Sequence, residues 1–200
     1  MLVPNQFVQG DGSGEVLVVL LPGKGYSTAM PLLFYAENLG IDRGWDVLRV
    51  DYNYLRLDLT DDELVARLVA DPLAAIETGL RRRGCKRVIV VGKSLATIAM
   101  TRLSDVLKDR KVRYIWLTPL LQVEQVFEAI ESGGSESLVV IGGADSLFDS
   151  DLVSALDEAG VNTHVVDGAD HGMDTPAGVV DSISVLGGIY GTVNGFLDGF

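Results

Sequence analysis

Apolar residues in this chain gather in short runs rich in β-branched side chains, separated by stretches with helical spacing. Of the runs Val16–Leu21, Asp46–Asp51, Arg87–Val91, Arg113–Leu117, Leu138–Ile141 and Thr163–Val166, most are apolar nearly throughout. That pattern predicts strands covered on both faces, as in a mostly parallel sheet. A further strand over Leu2–Val8 is predicted to form a hairpin with Val16–Leu21 through Gly10-Asp11-Gly12-Ser13-Gly14. Helices are predicted over Pro31–Leu39, Asp61–Arg82, Leu95–Leu107, Val123–Glu131, Asp151–Ala159 and Pro176–Leu197. The second starts at Thr60, a capping residue followed by acids, and ends in Arg81, Arg82, Arg83 and Gly84. Cations there face the negative helix end, and glycine suits a left-handed cap. The arginine run therefore reads as helix-end chemistry, and Asp71-Pro72 predicts a kink or break. Strands and helices alternate over the whole length with no linker or repeat, so the expected architecture is one α/β domain, residues 1–200, with helices on both sheet faces. Right-handed crossovers then put the loops that follow the strands along one edge, where ligands usually bind.

Charge narrows the partners. Sixteen Lys and Arg against 28 Asp and Glu give a formal net charge of −12, which argues against nonspecific nucleic-acid or anionic-membrane binding. The one cysteine, Cys85, cannot form an internal disulfide and reads as a small packing residue. The first strong apolar run follows acidic Asp11 and Glu15 without a basic leader, and no apolar stretch approaches the roughly 20 residues of a membrane span. A soluble cytoplasmic protein is expected.

Three segments that follow strands carry candidate chemistry. Ser94 lies where a buried strand passes directly into a helix, a turn that strains the backbone and lifts the hydroxyl clear of the sheet. Such a turn needs small residues two positions before and after, and Gly92 and Ala96 supply them. Serine needs an adjacent base, and the chain has two histidines, His164 and His171. His164 sits within a strand, whereas His171 lies beyond it in the loop Gly168-Ala169-Asp170-His171-Gly172. A carboxylate must orient the imidazole. Asp145, after Gly142-Gly143, is the first candidate, with Asp149, Asp151 and the more remote Glu124 as substitutes.

In these residues the sequence resembles the α/β-hydrolase superfamily over nearly its full length. The order Ser94, Asp145, His171 matches the family's nucleophile, acid and histidine. Gly92-Lys93-Ser94-Leu95-Ala96 resembles its nucleophile elbow, with Ala96 in place of the usual last glycine. Pro22-Gly23-Lys24-Gly25 resembles its oxyanion loop, with Pro22 where a histidine is common. The resemblance implies an α/β-hydrolase fold and oxyanion stabilisation by the backbone N–H groups of Leu95 and Lys24, Gly25 being the alternative in a shifted loop. It implies acyl transfer to water through a Ser-His-Asp triad and an acyl-enzyme, with no cofactor and no metal. The short segment between Leu117 and Leu138 leaves no room for a large lid, so small soluble esters or thioesters fit better than an enclosed lipid. Gly25, Tyr26, Lys93 and Met173 are candidate substrate contacts, and Trp116 is a candidate for either the acyl pocket or the core. Lys24 and Lys93 read either as exposed loop lysines or as anchors for an anionic substrate group.

Rival chemistries lack their residues. A phosphate-binding P-loop needs a glycine where Arg87 stands and a flexible loop where Val88–Val91 forms a strand. Gly10 to Gly14 fails the dinucleotide pattern at Glu15, Asp51-Tyr52-Asn53 fails a calcium loop at Arg56, and two histidines with one cysteine make no zinc set. A non-catalytic hydrolase-fold binding protein and an acyltransferase with the same triad remain as alternatives, and the oligomeric state is unassigned.

Overall fold

A computed structural model describes residues 4–52 and 60–200 of the chain. The first positions of the predicted Leu2–Val8 strand, and the Asn53 and Arg56 positions of the calcium-loop comparison, lie outside the described residues. The chain forms two compact units, Met1–Arg113 and Tyr114–Phe200.

In the first unit β1 (Asn5–Val8), β2 (Val16–Leu21), β3 (Asp46–Val50) and β4 (Arg87–Lys93) are ordered β1-β3-β2-β4. β2 is parallel to both neighbours, with Leu17 opposite Asp46 and Leu20 opposite Val91. Every residue of β2 is buried, which accounts for its unbroken apolar sequence. The expected hairpin does not form: β1 pairs antiparallel with β3, Asn5 opposite Val50 and Val8 opposite Val47. The glycine-rich segment serves another purpose. A Cβ on Gly10 would lie 2.4 Å from the Gly44 and Trp45 carbonyl oxygens, so only glycine lets this segment cross the start of β3. The buried Asp46 carboxylate accepts from Gly10 N at 2.9 Å and from Arg83 Nη1 at 3.0 Å, and Arg83 also donates to the Gly10 and Gly12 carbonyls. The last arginine of the run thus clamps that crossing as well as ending its helix.

Helix α1 (Pro31–Asp42) begins with Pro at its first position, where a missing N–H costs nothing. Helix α2 (Asp61–Arg83) carries a full capping box between Thr60 and Glu63 and ends at Gly84 in the left-handed conformation, φ 61°. It runs unbroken through Pro72, so the predicted break into two helices does not occur. Pro72 lies on the face that buries Leu68, Ile76 and Leu80. Burying those side chains, at about 1.5–3 kcal/mol each, outweighs a proline penalty of about 3 kcal/mol. The predicted helix after Ser94 is instead two short ones, α3 (Ala96–Met100) and α4 (Ser104–Leu107). Thr101 Oγ1 donates to the Ile98 carbonyl, and the Arg102 and Leu103 amides bond three residues back rather than four. A threonine competing for backbone carbonyls interrupts the helix there.

The second unit takes in β5 (Lys111–Leu117) from Tyr114 onward, with β6 (Ser137–Gly142) and β7 (Asn162–Val166) in the order β5-β6-β7, and both pairs are parallel. Helix α5 (Glu124–Gly133) and a short 3-10 turn connect the first two, α6 (Ser150–Glu158) connects the next, and α7 (Val179–Phe196) follows. The parallel register puts Asp145 after β6 and His171 after β7 at the same end of their strands.

Candidate active site

Strand β4 delivers Ser94 at its C-terminal end with φ 52°, in the left-handed region that L-residues avoid. The turn is held open by size and by hydrogen bonds. A Cβ on Gly92 would meet Met100 Sδ at 2.2 Å, which is why position 92 is glycine, and Ala96 Cβ would lie in ordinary contact at 3.6 Å. Thr97 donates to the Ser94 carbonyl through its amide at 2.8 Å and its hydroxyl at 2.6 Å. Over this turn lies the Gly23–Tyr26 segment, closed by the Tyr26 amide on the Gly23 carbonyl at 3.3 Å. A Cβ on Gly23 would come within 3.0 Å of the Lys93 carbonyl oxygen and 3.4 Å of Ser94 Cβ. The two loops therefore touch through backbone. Among the described residues, the Leu95 and Lys24 amides donate to no protein acceptor.

The two lysines separate. Lys24 is exposed, as expected of a loop lysine. Lys93 is not: it ends β4 with 2% of its surface exposed, and its Nζ lies 5.0 Å from the Tyr26 ring centroid. Tyr26 is half-buried, its hydroxyl accepting from Leu32 N at 2.9 Å at the start of α1, while Gly25 is exposed. Sequence reasoning missed Tyr52, whose buried hydroxyl donates to the Pro22 carbonyl at 2.8 Å. Burial raises its pKa well above the ordinary tyrosine value, which keeps the phenol a donor. Its position just beyond β3 was the signal available.

In the second unit His171 Nδ1 lies 2.7 Å from Asp145 Oδ2. The Asp145 carboxylate is fully buried, and its other oxygen accepts from Leu147 N at 2.9 Å. The His171 side chain is 37% exposed, so the imidazole has a sheltered edge and an open one. Of the alternative acids, Asp149 caps α6, accepting from the Asp151 and Leu152 amides, and Asp151 and Glu124 sit exposed in the first turns of α6 and α5. Asp170 Oδ1 accepts from the Gly172 and Asp174 amides, which fixes the loop that carries His171. Met173 is buried there with φ 68°. Trp116 belongs to the core: it is 1% exposed, stacks on Tyr114 and donates to Ser137 Oγ at 3.2 Å. Cys85 is buried, and that burial raises its pKa, consistent with a packing role.

A Cβ on Gly142 would lie 2.2 Å from the Ala169 carbonyl oxygen and 2.7 Å from that of Asp170. Gly142→Ala is expected to displace the His171 loop, costing about 1–3 kcal/mol in urea unfolding and about a hundredfold in any rate that depends on His171 placement. His164, in β7, has its pKa lowered by burial. The unfolded chain then binds the proton more readily, so this contribution to stability is complete above the unfolded value of about 6.5 and is lost as pH falls through it. The expected result is a shallow decline of the urea midpoint between about pH 7 and pH 5, flattened in His164→Gln.

No protein-family model matches the sequence, and no curated protein does. Solved structures do. A candidate α/β hydrolase from Agrobacterium tumefaciens superposes with a TM-score of 0.71 at 17% identity, covering 98% of this chain and 95% of that one. The chain has the α/β-hydrolase fold. An α/β serine hydrolase without lid from Xanthomonas campestris matches at a TM-score of 0.67 and 16% identity over 100% of this chain and 99% of its own. An esterase from Pyrococcus furiosus matches at 0.65 and 16% identity over 98% and 92%. This α/β-hydrolase fold comprises mostly parallel strands with flanking helices and, among the described residues, no large lid: α5 and the 3-10 turn are the helical insert between β5 and β6. Also among the described residues, no helix is long and apolar enough to cross a membrane, and no three His, Cys, Asp or Glu side chains gather as a metal-binding group.

Proposed function

We propose that the chain is a serine hydrolase that cleaves a carboxylic ester or thioester of a small soluble substrate in the cytoplasm, with residues 1–200 acting as one catalytic domain. The observation that carries this reading is the 2.7 Å contact between His171 Nδ1 and Asp145 Oδ2. A carboxylate on Nδ1 keeps the proton there and leaves Nε2 as the basic nitrogen, the tautomer a general base needs. The strained turn at Ser94 supports it, because the left-handed φ of 52° is a conformation a serine adopts only under constraint.

In this mechanism His171 Nε2 takes the Ser94 proton as Oγ attacks the carbonyl carbon, giving a tetrahedral oxyanion. The imidazolium returns the proton to the leaving alcohol or thiol, leaving an acyl-enzyme. Water, deprotonated by the same imidazole, then releases the acid and restores Ser94. The Leu95 and Lys24 amides stabilise the oxyanion, and losing one such donor typically costs about 10²–10³ in rate. Gly25, Tyr26 and Met173 border the reacting group, and exposed Lys24 suits an anionic substituent on the substrate. No cofactor or metal enters any step. Ser94 and His171 must come within hydrogen-bond reach for the proton transfer.

A fluorophosphonate probe tests the reading. It should label the wild-type chain at Ser94 and fail to label Ser94→Ala or His171→Ala. A binding protein of the same fold would not label at all. Assaying short-chain p-nitrophenyl esters and acyl thioesters, with and without added alcohol or thiol acceptors, then separates hydrolase from acyltransferase.

A further inference from the structure

Burying a lysine beside a reactive serine is costly, because the ammonium loses its hydration. An apolar side chain of similar length would fill the position at Lys93 without that cost. The side chain is nevertheless among the largest fully buried ones in the described chain, so its charge must act on something nearby.

The Tyr26 ring is within its reach, with Nζ 5.0 Å from the centroid, inside the range in which a cation is attracted to an aromatic face. Tyr26 is held at its other end as well, since its hydroxyl accepts the Leu32 amide at the start of α1. Its backbone closes the turn on Gly23 at 3.3 Å. That turn contains Lys24, the candidate oxyanion amide on this loop, and Gly25, its alternative, and it meets the backbone of Lys93 and Ser94 through Gly23. Lys93 therefore touches the turn twice, by its carbonyl oxygen under Gly23 and by its ammonium over Tyr26.

We infer that Lys93 is a positioning residue, whose ammonium pins the Tyr26 ring and thereby holds the Gly23–Tyr26 turn against the Ser94 elbow with the oxyanion amide in place. The effect on catalysis rests on the proposed acyl-transfer function; the effect on the turn does not. A charge in this role acts on the transition state, where the oxyanion develops, rather than on ground-state binding. Lys93 contributes the brace, and an anionic substrate group is left to Lys24.

Four single variants, one double variant and two readouts test it. Lys93→Met keeps the volume and removes the charge, whereas Lys93→Arg keeps the charge. Tyr26→Leu removes the ring, whereas Tyr26→Phe keeps it. For p-nitrophenyl ester hydrolysis, Lys93→Met and Tyr26→Leu should each lower kcat about tenfold to a hundredfold, short of the full loss of an oxyanion donor. In Lys93→Met, which leaves the ring in place, KM should stay within about threefold of wild type. Lys93→Arg and Tyr26→Phe should recover most of the rate, and the Lys93→Met/Tyr26→Leu double variant should be no slower than the slower single one. Hydrogen exchange read by mass spectrometry should show residues 22–27 exchanging faster in Lys93→Met and Tyr26→Leu, while the β6 peptide is unchanged. Wild-type exchange at residues 22–27 in Lys93→Met, or losses in kcat that multiply in the double variant, would overturn the inference. Faster exchange throughout the molecule would do so too, since it assigns Lys93 to general stability. If the wild-type chain neither hydrolyses esters nor labels with fluorophosphonate, the functional reading fails, and the exchange measurement alone still decides whether Lys93 holds the turn.

Discussion

Ser94→Ala is expected to lower ester hydrolysis by about a millionfold, the scale on which removing one member of a cooperating triad acts, while leaving the urea midpoint close to wild type. In the proposed mechanism the hydroxyl forms the acyl bond, and no neighbouring group substitutes for it. The backbone beneath tells a second story. With φ at 52°, residue 94 occupies a conformation costing an L-residue about 1–2 kcal/mol, and alanine keeps that cost. Ser94→Gly should be equally inactive yet more stable than Ser94→Ala, by about 1 kcal/mol or somewhat less once the greater freedom of glycine in the unfolded chain is counted. Stability rising while activity vanishes would identify the turn as strained for the sake of its hydroxyl. If Ser94→Ala kept substantial turnover, the nucleophile would lie elsewhere and the proposed mechanism with it.

The second large effect is expected at Asp145→Asn, a loss of about 10⁴ in kcat with the fold intact. The geometry explains why so small a change should matter. Leu147 N donates to Asp145 Oδ1, so an asparagine would keep its carbonyl oxygen toward Leu147 and turn its amide toward His171. Nδ1 of His171 would then have to accept, which moves the imidazole proton to Nε2. A protonated Nε2 cannot take the serine proton. Asp149 is in no position to compensate, because its carboxylate is committed to the start of α6. Near-normal turnover in Asp145→Asn would assign the orienting role to another carboxylate. Steady-state kinetics on a p-nitrophenyl ester measures both variants.

Most of this framework was legible from local pattern. Strand β2 was predicted residue for residue as Val16–Leu21, because a strand buried on both faces admits hardly any polar side chain. The start and end of α2 were equally plain, since the Thr60 capping box and the Gly84 cap are interactions within a few residues of sequence. The failures share a cause. Gly10 to Gly14 reads as a hairpin turn, but its glycines answer to Gly44, Trp45 and Arg83, partners thirty or more positions away. Pro72 reads as a helix breaker, but burial along the Leu68–Ile76 face overrides it. Lys93 reads as a surface charge, because charged side chains are mostly solvated, and nothing local reveals the Tyr26 ring beside it.

The sequence by itself determined the alternation of strands and helices, the turn at Ser94 with its small neighbours, and the order of the candidate nucleophile, acid and histidine, because each follows from short local motifs and their succession along the chain. Tertiary structure alone decided that Asp145 rather than Asp149 meets His171, that β1 lies on β3, and that the Lys93 ammonium turns inward. Those outcomes depend on which distant backbone or side chain fills the space next to a residue, and packing sets that without leaving a local trace.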